Sequence, residues 1–495
     1  MIGKTVVRLL LLAGIAANVA LLFINASPAR PHLGRKRAFK LLLRMSPEEA
    51  AWAKHNAFDE FATANDLELE VEALPTYAAI VARLEADKAH PGNVLLVDLS
   101  DELTDDAKRR GLIRPIADGA TPESLAELDG AFEAEALTRA HEGTKTLWSL
   151  PARAEVDVAL FLRPAVEDAY LHWGDDRARI DAAIKQVNGV GLPRDYALER
   201  SPDDWDSFDL FVAGWYWAHH PALWAGQGGQ GLAPRLAIRT GDSDDALREL
   251  LASFYAQGAK DEEIAAGKLD TPALIDAVQW QALWRREGIL VTGKSGRGVD
   301  ADEIRDLLLR GELAWAPASP ALSFRVHGGA RAGSLPGTPR PSDLAWAGMP
   351  RGVSLELKDG QPARRGRTFS FQEMSFWAVP ARVTETELAY RLARFITEPG
   401  ISQREAEALG TLPVRTEIRR NYPILFRLAW MQNIFDASFV QIDQGSGDVP
   451  DEVNDLHLDE RFRAFRRQAV FERESSAPID RAAIQKLAQE LDHAH

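Results

Sequence analysis

The chain contains no cysteine. Disulfides, thiolate metal sites and cysteine nucleophiles are therefore excluded. There is no basic excess either. Lys and Arg number 58 against 73 Asp and Glu, for a net charge of −15. Phosphate-backbone binding needs a basic face, so nucleic acid is not an expected partner. Such acidity bears on solubility rather than fold. The common hydrolase signatures Gly-x-Ser-x-Gly and His-Glu-x-x-His are absent. Tyrosine is scarce, with 7 against 13 Trp. Tryptophan offers a flat apolar face that suits core packing and sugar rings alike. At 495 residues the chain is too long for one core and should divide into lobes.

One long apolar run exists, at the N-terminus. Lys4 and Arg8 precede Leu9–Phe23, a signal-peptide layout with Ser27-Pro28-Ala29 as the best cleavage site. Counted from Val6 to Ala26, the run approaches the roughly 20 residues that span a bilayer. Residues 1–30 therefore read as a removable signal or a retained membrane anchor. Arg35, Lys36 and Arg37 follow, so flanking charge does not fix orientation.

Beyond it, Ala38–Leu43 reads as a strand. Ser46-Pro47-Glu48-Glu49 reads as a helix start with a capping box. Leu67–Leu74 is a second strand, a helix runs from Tyr77 to about Lys88, and Val94–Val97 is a third strand ending at Asp98. This β-α-β-α-β order predicts an α/β fold with a parallel sheet covered by helices. Ligands sit beyond the carboxyl ends of such strands, which brings Ser46 and Asp98 near a cleft.

In Thr146–Arg163, Leu147–Leu150 reads as a strand end and Pro151 as the point where the chain leaves one lobe. A new strand is expected from Glu155. Thr271-Pro272 starts a later helix, and Thr384 with Glu387 and Ser402 with Glu405 form two more candidate capping boxes.

The order of these elements resembles bacterial extracellular solute-binding proteins, the sugar-binding type of ABC importers. The resemblance runs from Ala38 to Arg415. It is carried by the SPEE helix, LELEVEALPTYAAIVARLEA, VLLVDLSDEL, AKRRGLIRPIAD, the Gly311–Pro320 strand and loop, FSFQEMSFWAVP, and Gly410-Thr-Leu-Pro-Val-Arg415. Residues 164–202 depart from it as an insertion. The resemblance implies a two-lobe periplasmic-binding-protein-like fold (type II) with hinge crossovers. Lobe 1 would take 38–150 plus 349–398, lobe 2 would take 151–348, and 399–495 would be C-terminal helices packing on the lobes. It implies reversible capture of a small solute, a carbohydrate above all, on the exported side of the membrane. The expected partner is an ABC permease, with no enzymatic activity and no cofactor. Without cysteine, the lipid-modified cysteine that tethers many members is missing.

Ser46, Asp98, Glu155, Ser319, Gln372, Glu373 and Ser375 are the candidate ligand-binding residues under that resemblance. Ser375 or Phe376 stands where the family carries a sugar-stacking aromatic in a glycine-aromatic loop. Trp315 and Trp377 read as core. Glu155 and Asp157, two apart on a strand, would point to one face about 6–7 Å apart. That spacing suits paired carboxylates of an inverting glycosidase, but both acids would then lie on one side of the bond. Gly226–Gly231 formally fits Gly-x-Gly-x-x-Gly without the strand-to-helix context that a dinucleotide site needs. His219 and His220 are adjacent, so on a helix they diverge and cannot chelate one metal. A membrane-tethered sensor or envelope scaffold that keeps the fold without transport is the competing reading. A glycan-processing enzyme is a third.

Overall fold

The computed structural model describes residues 36–89, 93–141, 145–220, 235–239, 244–291, 299–333, 338–447, 456–474 and 477–493. Leu9–Phe23 and Gly226–Gly231 lie outside them. Among the described residues no helix is long and apolar enough to cross a membrane.

The strands in chain order are β1 Arg37–Arg44, β2 Leu67–Leu74, β3 Val94–Ser100, β4 Ile113–Arg114, β5 Ser149–Val156, β6 Val158–Leu162, β7 Arg235–Leu236, β8 Leu313–Ala318, β9 Leu344–Ala347, β10 Leu357–Lys358, β11 Gln361–Pro362, β12 Ser370–Pro380, β13 Leu412–Pro413 and β14 Ser446–Gly447. One sheet has the order β13-β5-β12-β3-β1-β2, with β4 and β14 also pairing with β12. A second has the order β7-β8-β6-β9. The fold is α/β with two lobes, one on each sheet.

In the first sheet β1 pairs in parallel with β2 and β3. Leu41, Leu42 and Leu43 of β1 are fully buried. Leu41 and Leu43 join one apolar cluster, while Leu42 joins another with Tyr77, Ile80 and Val97. Successive side chains point to opposite faces, so a strand covered by helices on both sides must be apolar throughout. The helix Pro47–Ala53 then starts with the expected box. Ser46 Oγ accepts from the Glu49 amide at 3.2 Å, and the Glu49 carboxylate accepts from the Ser46 amide at 2.8 Å.

Lobe 2 has its own core. Leu160 and Phe161 of β6, Trp315 of β8 and Leu344 of β9 pack with Phe208, Phe211, Leu250, Phe254 and Trp280 from the surrounding helices. Residues 164–202 belong to it. They form the helices Arg163–His172 and Arg177–Asn188, whose Val166, Ile180 and Ile184 enter this core. The C-terminal helices divide between the lobes. Phe426, Ile434 and Phe435 pack in lobe 1, and Phe462, Phe465 and Ile484 pack in lobe 2.

The chain crosses between lobes at one line. β5 ends at Val156 and β6 begins at Val158, leaving Asp157 alone between the sheets. The Asp157 amide donates to Ser370 Oγ at 3.2 Å, at the start of β12. Ser370 in turn lies opposite Ser446 of β14. Three crossings therefore run side by side.

Some local expectations are corrected. The strand expected to end before Pro151 runs on to Val156, and the next starts at Val158, not Glu155. β5 runs straight through Pro151 because the β5–β12 register slips between Ser375 and Phe376, which face Arg153 and Pro151. An irregularity of this kind accommodates a residue with no N–H to donate. β3 continues past Asp98 to Ser100. Helix Thr386–Ile396 starts too late for Thr384 to cap it. Pro399 opens the helix Pro399–Leu409, so Ser402 and Glu405 fall inside it rather than at its start.

Gly445 stands at the third crossing. A Cβ there would meet the Thr368 carbonyl oxygen at 2.0 Å. Overpacking against backbone typically costs about 1–3 kcal/mol. Gly445→Ala should lower the unfolding free energy by that order in denaturant titration. Gly400→Ala, with nothing within 4 Å, should leave it unchanged or raise it slightly.

Candidate functional site

Between the lobes lies a cavity of about 760 Å³, within the range of small-molecule sites. Lobe 1 contributes Arg44, Ser46 and Glu49 where β1 turns into its helix, Glu155 at the end of β5, and Glu373 of β12. Lobe 2 contributes Arg239, then Asp245, Arg248 and Glu249 from the helix Asp244–Ala256, Trp280 and Trp284 from the helix Pro272–Arg286, and Trp315, Ser319 and Arg325. Asp157 and Ser370 line it at the crossings.

Four of the seven candidate residues thus come together on the cavity wall: Ser46, Glu155, Ser319 and Glu373. Ser319, like Ser46, caps a helix. Its Oγ accepts from the Leu322 amide at 3.3 Å. The other three lie elsewhere. Asp98 is fully buried inside β3 and ion-paired with Arg153, which also reaches Glu405 at 3.2 Å. Burial raises the Asp98 pKa against the pull of Arg153. Gln372 is buried and accepts from the Ser446 hydroxyl at 3.3 Å. Ser375 is buried between Arg153 and Ser100 in the sheet register. These residues support the floor of the site instead of facing it.

The cavity is dominated by arginine–carboxylate pairs whose arginines carry no signature in the sequence. Arg44 lies 3.6 Å from Glu373, 3.7 Å from Glu155 and 3.9 Å from Asp245. Its guanidinium sits over the Tyr77 ring, 4.9 Å from the centroid. Glu373 is the main reason its charge is held above the ordinary range, in spite of burial. Arg248 is ion-paired with Glu373 and lies 3.8 Å from Asp245. Burial opposes the Asp245 charge, but Arg239, Arg44 and Arg248 together keep its pKa low. Arg239 grips Asp157 through two bonds of 2.6 and 2.8 Å, and its amide donates to Glu249 at 2.8 Å. Glu155 and Asp157 both line the cavity but are split between different arginines, Arg44 and Arg239. Arg44 could have been found from the rule that marked Ser46, since it ends β1. Arg239 and Arg248 offered no comparable signal.

Several lining residues keep polar atoms without a hydrogen-bond partner among the described residues: Arg239 Nε, Gln257 Oε1, Trp284 Nε1, Trp315 Nε1 and Glu373 Oε1. Buried polar groups are normally paired. Donors and acceptors of this kind, beside Trp280 and Phe369, can receive a molecule bearing both hydroxyls and apolar faces. Trp315, expected in the core, is buried yet lines the cavity. Trp377 is core, edge-on to Phe58. His219 and His220 are occupied separately, stacked on Trp215 and Tyr216.

Residues 56–424 match the family model described as bacterial extracellular solute-binding protein. The chain belongs to this family. A search of curated protein sequences gives no match. Among solved structures, this solute-binding protein is similar to maltose-bound MalE3 of T. maritima. Identity is 14% over 92% of this chain and 100% of that one, with a TM-score of 0.64. The GacH receptor of Streptomyces glaucescens matches at 15% identity over 92% and 99% of the two chains, with a TM-score of 0.62. UgpB from Mycobacterium tuberculosis, in complex with glycerophosphocholine, matches at 15% identity over 93% and 98%, with a TM-score of 0.58. At these identities the likeness establishes the two-lobe fold. Membership places a small-molecule ligand and an extracytoplasmic location with this solute-binding protein.

Glu249 gives the cleft a pH dependence. Burial pushes its carboxyl from 4.5 up to about 7, against the pull of Arg239 and Arg466. The folded state holds this proton while the unfolded chain releases it near the ordinary value. This group's contribution therefore falls as pH rises between about 4.5 and 7 and is constant above that interval. Glu249→Gln should flatten that segment of a stability–pH profile measured by urea unfolding. Against wild type, the variant should gain most above pH 7.

Proposed function

We propose that the protein captures a neutral, hydroxyl-rich solute of the carbohydrate class and delivers it to an ABC-type importer on the outer side of the cytoplasmic membrane. One observation carries this reading. The guanidinium groups of Arg44, Arg239, Arg248 and Arg325 each stand beside a carboxylate of the protein itself, while the Trp284 and Trp315 indole donors and the Gln257 Oε1 acceptor on the cavity wall find no partner among the described residues. An anionic solute would need a free cation. A polyol needs the donors and acceptors that are present.

In this reading Glu155, Glu373, Ser46, Ser319 and Gln257 meet ligand hydroxyls, and Trp284 and Trp315 give indole N–H bonds and apolar faces. We place the lobe boundaries at Asp157, at the segment that leads to Ser370, and at Ser446. Closure turns about that line and removes water from the bonds that hold the solute. Neighbours of the same fold are described with maltose, maltotriose or glycerophosphocholine, which makes malto-oligosaccharides the first probes.

A thermal-shift series tests the reading. A bound sugar at 100 times its Kd should add about 2.7 kcal/mol by mass action. Oligouronates of the same length should add nothing. Trp315→Phe removes one buried donor and should weaken sugar binding by about 0.5–1.5 kcal/mol. A shift with oligouronates and none with neutral sugars would overturn the proposal.

A further inference from the structure

We propose that Arg44, Asp245, Arg248 and Glu373 form an interlobe clasp that draws the two lobes together before any solute arrives. The inference rests on the two-lobe reading of the cleft, but not on the identity of the solute.

The two ends of the clasp are anchored in different cores. Arg248 and Asp245 stand on the helix Asp244–Ala256, whose Leu247, Leu250, Leu251 and Phe254 are lobe 2 core. Glu373 stands on β12 beyond the crossing at Ser370. Its neighbour Met374 and then Phe376 are lobe 1 core. Arg44 ends β1, whose Leu41 and Leu43 are in the same lobe 1 core. Two contacts therefore pass from lobe to lobe: Arg248 with Glu373, and Arg44 with Asp245 at 3.9 Å. They are joined into one network, because Arg44 also lies 3.6 Å from Glu373 and Arg248 lies 3.8 Å from Asp245.

Two further observations make this a device for binding rather than a plug. The cavity keeps about 760 Å³ with the clasp engaged, so clasp and guest fit together. The clasp charges are only partly withdrawn from solvent. Their side chains range from 11% exposed at Glu373 to 40% at Asp245, so added salt can reach and screen them. A protein whose binding-competent state is already populated loses less affinity to the cost of closing.

Small-angle scattering of the full chain without any sugar tests the clasp. At 1 M salt the screening length drops to about 3 Å, which weakens first the arm at Asp245, 40% exposed, and less the more buried Arg248–Glu373 arm. The radius of gyration should rise between low salt and 1 M salt. At low salt Arg248→Gln and Glu373→Gln should each show the larger radius. The double variant should be no more expanded than either single one, because the pair acts as a unit. Circular dichroism separates opening from unfolding, and the salt arm uses the unaltered chain, so a misfolded variant does not void the test. A wild-type radius that ignores salt, with folded variants that superimpose on it, would overturn the clasp. A chain that expands in salt yet binds no sugar would keep the clasp and remove the proposed function. A chain that binds sugar, with a salt-independent radius and folded variants that superimpose on it, would do the reverse.

Discussion

The hydrogen bond from the Asp157 amide to Ser370 Oγ, 3.2 Å long, ties together the first two passages of the chain between its halves. The third passage, at Ser446, lies against Ser370 in the β12–β14 pair. Everything the cleft does depends on these strands lying in one line. A body on each side, with a core of its own, can then turn about a narrow strip, with the lobe 2 helix Pro320–Ala332 also reaching the lobe 1 core where Phe324 packs against Phe435. Asp157 serves this strip twice. Its backbone joins the strands, and its carboxylate is gripped by Arg239 of lobe 2.

The same strip forms one wall of the cavity, so hinge and binding surface share residues. Charges gather there because strand ends and helix starts gather there. Arg44 ends β1 and Ser46 follows it, Glu155 lies next to the end of β5, and Asp245 and Arg248 occupy the first turns of a lobe 2 helix. Each arginine is matched by acids of the protein itself. The wall is thus polar, with eight carboxylate residues against four arginines, and it suits a guest that brings hydroxyls instead of negative charge. The indoles of Trp284 and Trp315 supply donors that find no partner among the described residues.

Local signals told much of the first lobe. Ser46 to Glu49 makes both bonds of its box, and the burial of β1 on both faces follows from its run of leucines. The order of strands and helices was enough to indicate two lobes and a family. The register slip opposite Pro151 was not legible, because it depends on how β12, more than two hundred residues later, lies against β5. Pro151 therefore read as an exit when it is an interior residue of a strand. Asp98 read as a strand end because Leu99 and Ser100 were not counted into β3. The cleft arginines were out of reach for a similar reason. Arg239 and Asp157 are 82 residues apart, and Arg248 and Glu373 are 125 apart. Ion pairs at such separations leave no periodicity and no spacing in the chain. Ser46 and Ser319 were found because a capping serine has a local signature; their arginine neighbours have none.

The central claim is that two separately packed halves turn about Asp157, Ser370 and Ser446 around a guest. The absence of cysteine makes a direct test simple. Spin labels at Glu48→Cys in lobe 1 and Asp306→Cys in lobe 2, both exposed positions, report the distance across the mouth by double electron–electron resonance. With maltotriose titrated in from low to saturating concentration, the account predicts a distance distribution that narrows and moves to shorter values. One unchanged distance at every concentration, with the sugar shown to be bound by calorimetry, would contradict it.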